Sequence, residues 1–286
     1  MIKRITSVEN PTFKEALKLR YKHERDRRGV YLAEGPNLLH EGLKNDVFLK
    51  AVFLSEDLSR EENNRIREMV ERRGHKGKLI VLEHDLFRRI SDTETPQGVI
   101  SIIEKRKFTE GEFFVKTSDR GWGNILVIDR IQDPGNMGTL LRTSDAAGWS
   151  GIMIVKGTVD IYSPKVVRAA AGSLFRVPIL FVRDGEEALN LLRKHGKRIL
   201  VTDPRSNTCY YDVDMRENIA LIIGNEGSGI SKDFMAGGDC MVTLPMAEAV
   251  ESLNAAVAAG ILMYESLRQN NENRNKGEKQ VWGRQI

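Results

Sequence analysis

The chain has 286 residues, a formal net charge of +4 and a pI near 9.0, which is room for two domains with separate cores and a charge that admits an anionic partner without naming one. No run of about 18 apolar residues occurs and Met1-Ile2-Lys3-Arg4 opens no signal-peptide stretch, so neither a membrane span nor secretion is expected. Cys209 and Cys240 fit neither a CxxC pair nor a disulfide framework, which points to a reducing cytoplasm, and the histidines at 23, 40, 75, 84 and 195 have no metal-ligand spacing.

Residues 5–28 read as a polar helix or pair of helices, broken at Asn10-Pro11, with Phe13, Leu17 and Tyr21 as a thin apolar stripe. Residues 1–30 hold nine Lys or Arg against four Asp or Glu. Arg20, Lys22, Arg25, Arg27 and Arg28 form a basic segment that reads either as an anion-contacting surface or as a solvated charged helix. Strands are predicted at 30–33, 47–54, 78–82 and 98–104, with helices around Leu38-Leu39-Leu43, over 61–73 and over 84–90. This alternation makes residues 1–105 a small α/β domain. The polar stretch 106–123 reads as a linker.

The second half alternates more regularly. Strands are predicted at 125–129, 151–155, 177–181, 198–202, 219–223 and 240–244, with helices near 136–147, 163–172, 185–195, 230–236 and 251–268. Runs such as Ile125-Leu126-Val127-Ile128 and Ala220-Leu221-Ile222-Ile223 are apolar throughout, as strands buried on both faces are. A parallel sheet of about six strands with helices on both sides follows for residues 124–268. Residues 269–286 are polar and read as a frayed tail.

Three strand-to-helix segments carry the chemistry. In the first, Asp133-Pro134-Gly135-Asn136 leads into a helix that Asn136 is suited to cap, with Arg142 within its first two turns. Alone it reads more readily as a capped core helix with a surface arginine. The second, Gly224-Asn225-Glu226-Gly227-Ser228-Gly229, is neither a GxGxxG fingerprint nor a phosphate loop nor a nucleophile elbow. Bare N–H groups there can line a ligand, and Glu226 argues for a ligand with hydroxyls or a cation rather than phosphate. In the third, Leu244-Pro245-Met246 leaves a strand and Ser252-Leu253-Asn254 opens a helix that Glu251 or Ser252 can cap. Leu253, Val257, Ile261 and Tyr264 form a stripe on it that reads as core or subunit interface.

Together these segments resemble the three motifs of the SpoU family of RNA 2′-O-ribose methyltransferases, within the SPOUT superfamily. Asn136, Gly138, Arg142 and Gly148 match the first motif, Gly224, Glu226, Gly229 and Ser231 the second, and Leu244-Pro245-Met246 with Ser252-Leu253-Asn254 the third. The N-terminal half resembles the family's substrate-binding domain at Ala33-Glu34-Gly35, at Ser91-Asp92-Thr93 and at Pro96-Gln97-Gly98. The resemblance implies an α/β fold whose parallel-sheet SPOUT domain carries a deep trefoil knot, plus the smaller N-terminal domain, working as a homodimer. It implies S-adenosylmethionine as cofactor, held by Ile223, Gly224, Gly229, Leu244, Met246 and Leu253, and no metal. It implies catalytic roles for Asn136, Arg142, Glu226, Ser252 and Asn254. The family ascribes help with deprotonation to Arg142, yet a guanidinium is a poor base near neutral pH, and clamping an RNA phosphate is as sound a role. The separate first domain resembles rRNA-modifying members more than tRNA-modifying ones. A catalytically silent RNA-binding protein on this scaffold, or a tRNA enzyme, are the alternatives.

Overall fold

The computed structural model describes residues 3–74, 79–247 and 252–275. They form two compact units: the first runs through Arg106 and takes in Asp160–Arg176, and the second comprises Lys107–Val159 and the chain from Val177 onward.

The first unit is built in the order β1 (Lys3–Ile5), α1 (Pro11–Lys18), α2 (Lys22–Arg28), β2 (Val30–Glu34), α3 (Pro36–Lys44), β3 (Leu49–Ser55), α4 (Arg60–Arg72), β4 (Leu79–Leu82), α5 (His84–Ile90) and β5 (Val99–Glu104). Its mixed sheet has the order β1-β4-β3-β5-β2, antiparallel where β5 meets β3 and β2. Phe13, Ala16 and Leu19 of the α1 segment and Leu86, Phe87 and Ile90 of α5 close one face of it. Helices α8 (Pro164–Ala169) and α9 (Ser173–Arg176) join this unit although they lie later in the chain, α8 packing on β2.

The second unit holds α6 (Glu110–Ser118), β6 (Ile125–Ile128), α7 (Pro134–Ala146), β7 (Gly151–Val155), β8 (Ile179–Val182), α10 (Gly185–Lys194), β9 (Arg198–Thr202), β10 (Ile219–Ile223), α11 (Lys232–Gly237), β11 (Cys240–Val242) and α12 (Ala255–Asn275). All six strands are parallel, in the order β11-β9-β10-β6-β7-β8. Strand residues alternate between faces. Ile125, Val127, Ile199, Val201, Ala220 and Ile222 meet Phe113, Leu189, Leu192 and Phe234 in one core. Their neighbours Leu126, Ile128, Leu200 and Leu221 are equally buried, which is why the strands read as continuous apolar runs. Strand order runs one way from β6 through β7 to β8 and the other way through β10. The carboxyl ends of β6 and β10 therefore flank the topological switch point, where open α/β sheets place their ligands.

Several expectations need correction. Lys3–Ile5 is a strand that was not expected, and it takes Ile5 out of the segment 5–28 read as helical; three residues are too few to show alternation, and only Ile5 is buried. The expected linker 106–123 contains α6, started by a reciprocal Thr109–Glu112 capping box and anchored by buried Phe113 and Phe114. The helix expected over 163–172 is two short ones, divided where Ala171 and Gly172 take positive φ of 47° and 88°. Helix α7 begins earlier than expected and is capped by Asp133, whose carboxylate accepts from Asn136 N at 2.7 Å. Helix α12 begins at Ala255; of its two expected caps Ser252 lies outside the helix and Glu251 outside the described residues. The tail is not frayed up to Asn275: Gln269 binds Met215 N and Val213 O at 2.8 and 2.9 Å, and buried Asn270 donates to Arg216 O. Residues 276–286 lie outside the description.

The basic segment also differs from its reading. Arg25 is buried: its guanidinium meets Asp160 at 2.5 Å, with side chains 4% and 13% exposed, and donates to the carbonyls of Leu19 and Arg20. Arg27 and Arg28 are paired with Glu24.

Candidate active site

Strand β6 is followed by Asp129, a wholly buried carboxylate that accepts from Ser231 N at 2.7 Å and from Arg130 Nε at 2.9 Å. Arg130 sits at φ 60°, a left-handed conformation unusual for a side chain of this size. That turn aims its carbonyl at Asn225 Nδ2 (2.8 Å) and Gln132 Nε2 (2.9 Å). The β6 loop and the glycine loop after β10 are thereby tied together. Within the glycine loop Asn225 Oδ1 accepts from Gly227 N, Ser228 N and Ser228 Oγ, and Asn225 and Gly229 exchange both backbone hydrogen bonds. Gly224 is required by space: a Cβ there would lie 2.5 Å from Ile230 Cγ1 and 2.6 Å from the backbone of Gly229 and Ile230.

A cavity of about 640 Å³ opens beside this loop. Ile223, Gly224, Gly229, Leu244, Met246 and Leu253, the expected cofactor residues, all line it, as do Glu226, Ser252 and Asn254. Its size suits a cofactor-sized ligand, and its mainly apolar wall with a few convergent polar groups is the usual build of such sites.

Asn136 joins the site through hydrogen bonds. Asn254 Nδ2 donates to Asn136 Oδ1 at 2.8 Å, and Asn136 Nδ2 donates to Glu226 Oε1 at 3.0 Å. The direction of this relay is fixed at both ends. Asn254 Oδ1 is taken by Ala256 N and Val257 N at the start of α12, so its amide NH₂ must face Asn136. Glu226 accepts only, so Asn136 must turn its NH₂ toward it. Burial works to raise the Glu226 carboxyl, but the Asn136 amide and the backbone N–H groups of Gln132 and Asp133 outweigh it and hold the pKa below the ordinary glutamate value. The group is a carboxylate at neutral pH.

Arg142 is not brought in. It stands exposed on α7, lines no part of this cavity, and has no hydrogen bond or ion pair among the described residues. The adjacent Thr143 faces Gly260 of α12, where an added Cβ would lie 3.6 Å from Thr143 Cγ2. The stripe Val257, Ile261 and Tyr264 is exposed, while Ala256, Ala259, Leu262 and Met263 are buried hydrophobic residues of α12. Sequence reasoning missed the rim formed by Thr202 at the end of β9 and by Asp203, Pro204 and Arg205 after it. Burial of Asp203 is outweighed by the N–H and guanidinium of Arg205, which keep its carboxyl below the usual aspartate range. The Asp-Pro after a buried strand was the available signal. Among the described residues no cluster of His, Cys, Asp and Glu is arranged to hold a metal, and no helix is long and apolar enough to cross a membrane.

Comparison with known proteins gives these features a family. Residues 123–264 match the SpoU rRNA Methylase family, and residues 10–101 match the MRM3-like substrate binding domain. The chain is 32% identical over 263 residues to the 23S rRNA (guanosine(2553)-2′-O)-methyltransferase RlmP of Bacillus subtilis, covering 92% of this chain and 98% of that one. The AdoMet-bound rRNA methyltransferase from Sinorhizobium meliloti superposes with a TM-score of 0.81 at 28% identity, covering 93% of this chain and 98% of that one. The SpoU methyltransferase AviRb from Streptomyces viridochromogenes, in complex with AdoMet, gives 0.81 at 26% identity, covering 92% and 99%. The chain belongs to the SpoU methyltransferase family and carries its substrate-binding domain.

Proposed function

We propose that this enzyme transfers a methyl group from S-adenosylmethionine to a ribose 2′-hydroxyl of ribosomal RNA. The observation that carries the reading is the relay Asn254–Asn136–Glu226 at the cavity, which presents an oriented carboxylate next to a cofactor-sized space. The residues fit the cofactor. Ile223, Leu244, Met246 and Leu253 offer apolar surface for its adenine, and the loop of Gly224 and Gly229 offers main-chain groups for its polar parts. When bound, the cofactor supplies an activated methyl group on a sulfonium.

The chain must orient a weakly acidic hydroxyl and give its proton somewhere to go. The Glu226 carboxylate accepts from Gln132 N, Asp133 N and Asn136 Nδ2, with its own N–H also acting on it. As an acceptor-only group lining the cavity, it is placed to meet a substrate hydroxyl. Asn136 holds that carboxylate in place, and Ser252 and Asn254 orient substrate or cofactor at the cavity edge. Arg142 clamps an RNA phosphate, the role its guanidinium chemistry favours over that of a base.

We further infer a homodimer formed on the exposed stripe Val257, Ile261 and Tyr264 of α12. Arg142, one residue from the α7–α12 contact and outside its own chain's cavity, supports an assembly in which a second copy completes the site. A trefoil knot in the path from β10 through β11 to α12, and a cytoplasmic location consistent with the free thiols of Cys209 and Cys240, belong to the same reading. The first unit, through its match to a substrate-binding domain, is the part that engages RNA.

The test is to map 2′-O-methylated nucleotides in ribosomal and transfer RNA from cells with and without the gene, and to repeat the transfer with purified enzyme and labelled cofactor. Loss of one rRNA methylation supports the proposal. Loss confined to tRNA moves the substrate, and RNA binding without transfer turns the protein into a silent binder.

A further inference from the structure

The acids of the segment 9–28 are already used: Glu9 pairs with Lys14, Glu15 with Arg28, Glu24 with Arg27 and Arg28, and Asp26 with Lys105. Five cations outside these pairs lie near one another. Lys18 ends α1, Arg20 and Lys22 flank the turn into α2, and Arg88 and Arg89 end α5; all five are exposed and none forms an ion pair or side-chain hydrogen bond with an acid among the described residues, Lys22 acting on Asp26 through charge alone. Two contacts bring them together. Phe13, Ala16 and Leu19 pack with Leu86, Phe87 and Ile90 in one core, and Arg20 Nη2 donates to Arg89 O at 2.9 Å. In the middle of this patch Tyr21 is 56% exposed, its ring stacked on that of exposed His23 at 5.9 Å between centroids.

An aromatic face left in solvent among unpaired cations is the arrangement by which proteins hold unpaired nucleotides: bases stack on the ring and phosphates meet the cations. We infer that the ends of α1 and α5, with the turn between α1 and α2, bind single-stranded RNA, with Tyr21 stacking on a base and Lys18, Arg20, Lys22, Arg88 and Arg89 lining the phosphate path. This deepens the proposed function and rests on its RNA reading. It also moves the RNA contact away from Arg25, Arg27 and Arg28, whose charges are spent within the fold.

The experiment measures binding of an unstructured oligouridine to the full-length protein as a function of salt, with thermal unfolding and cofactor titration alongside. For Lys18→Gln/Lys22→Gln/Arg88→Gln/Arg89→Gln the slope of log affinity against log salt should become shallower by about 3, since each lost single-strand phosphate contact removes about 0.7. Tyr21→Ala should weaken binding roughly tenfold and Tyr21→Trp should restore it. Cofactor affinity should not change in any variant. Tyr21 is exposed, so its variants keep the test open if the quadruple change fails to fold. Parental affinity and slope in both sets overturn the inference. So does a lower melting temperature with RNA affinity unchanged, which would make the cations partners of the helix C-termini only. If the parent protein itself binds no RNA, the functional reading falls and takes this inference with it; if the parent binds and the variants bind equally, only the location is wrong.

Discussion

Replacing Gly224 by Ala tests the cavity most directly. The added Cβ would sit 2.5 Å from Ile230 Cγ1, 2.6 Å from Gly229 C and 2.6 Å from Ile230 N. Side-chain rotation can relieve the first contact but not the other two, because they are main chain. Ordinary contact begins near 3.4 Å, so the segment 229–230 must retreat by most of an ångström. Overpacking of this kind costs about 1–3 kcal/mol. Part of that appears as lower stability, at roughly 2–4 °C per kcal/mol for a unit of this size. The rest appears as weaker cofactor binding, up to about 100-fold if the whole strain is released only by a loop position that cannot bind. Calorimetric titration with S-adenosylmethionine or its demethylated product, paired with thermal unfolding, separates the two. If Gly224→Ala bound the cofactor and melted like the parent, the argument that this loop is sterically fixed for the cofactor would be wrong.

Three further outcomes follow from the site and its supports. Arg142→Ala should lower single-turnover methylation by roughly 10²–10³ while cofactor affinity stays near the parent value, because Arg142 is outside the cavity; Arg142→Lys should not rescue it, and loss of cofactor binding would count against a role toward RNA. Glu226 has its folded pKa depressed, so it contributes stability that is present above its unfolded value near 4.5 and is lost as pH falls through the folded pKa; Glu226→Gln should therefore be destabilised against the parent at pH 7, with the two denaturation curves converging in acid. Arg25→Ala should cost about 3–5 kcal/mol in chemical denaturation, since it strands the Asp160 carboxylate, whereas Arg27→Ala should cost far less, because the Arg27 guanidinium is exposed and Glu24 keeps Arg28.

The strands of the second unit could be read from sequence because parallel strands covered on both faces leave uninterrupted apolar runs, and the glycine loop because Gly224 and Gly229 meet strict spatial and dihedral demands. Asn136 and Asn254 could be marked as polar residues near helix starts. Their relay could not, since 118 positions separate them and only the fold of the third segment over α7 brings them together. Arg25 looked like its neighbours because charge carries no mark of burial; its partner lies 135 positions on. α6 escaped because its capping signal sits in a polar stretch whose two phenylalanines are adjacent rather than spaced by a helical turn.

Asp160–Arg176 leaves the second unit after Val159 and returns to it at Val177. The two halves of the protein are thus joined by three covalent passages instead of one. A gene fragment ending at 105 would deprive Arg25 of Asp160 and Tyr31 of the ring of Tyr162, and one beginning at 124 would carry Val166, Val167 and Phe175 with nothing to bury them. A single proteolytic nick at any one passage leaves two others holding. Exchange of the N-terminal segment between relatives by one crossover would produce chimaeras mismatched at these very contacts, so residues 1–106 and 160–176 are constrained to diverge together.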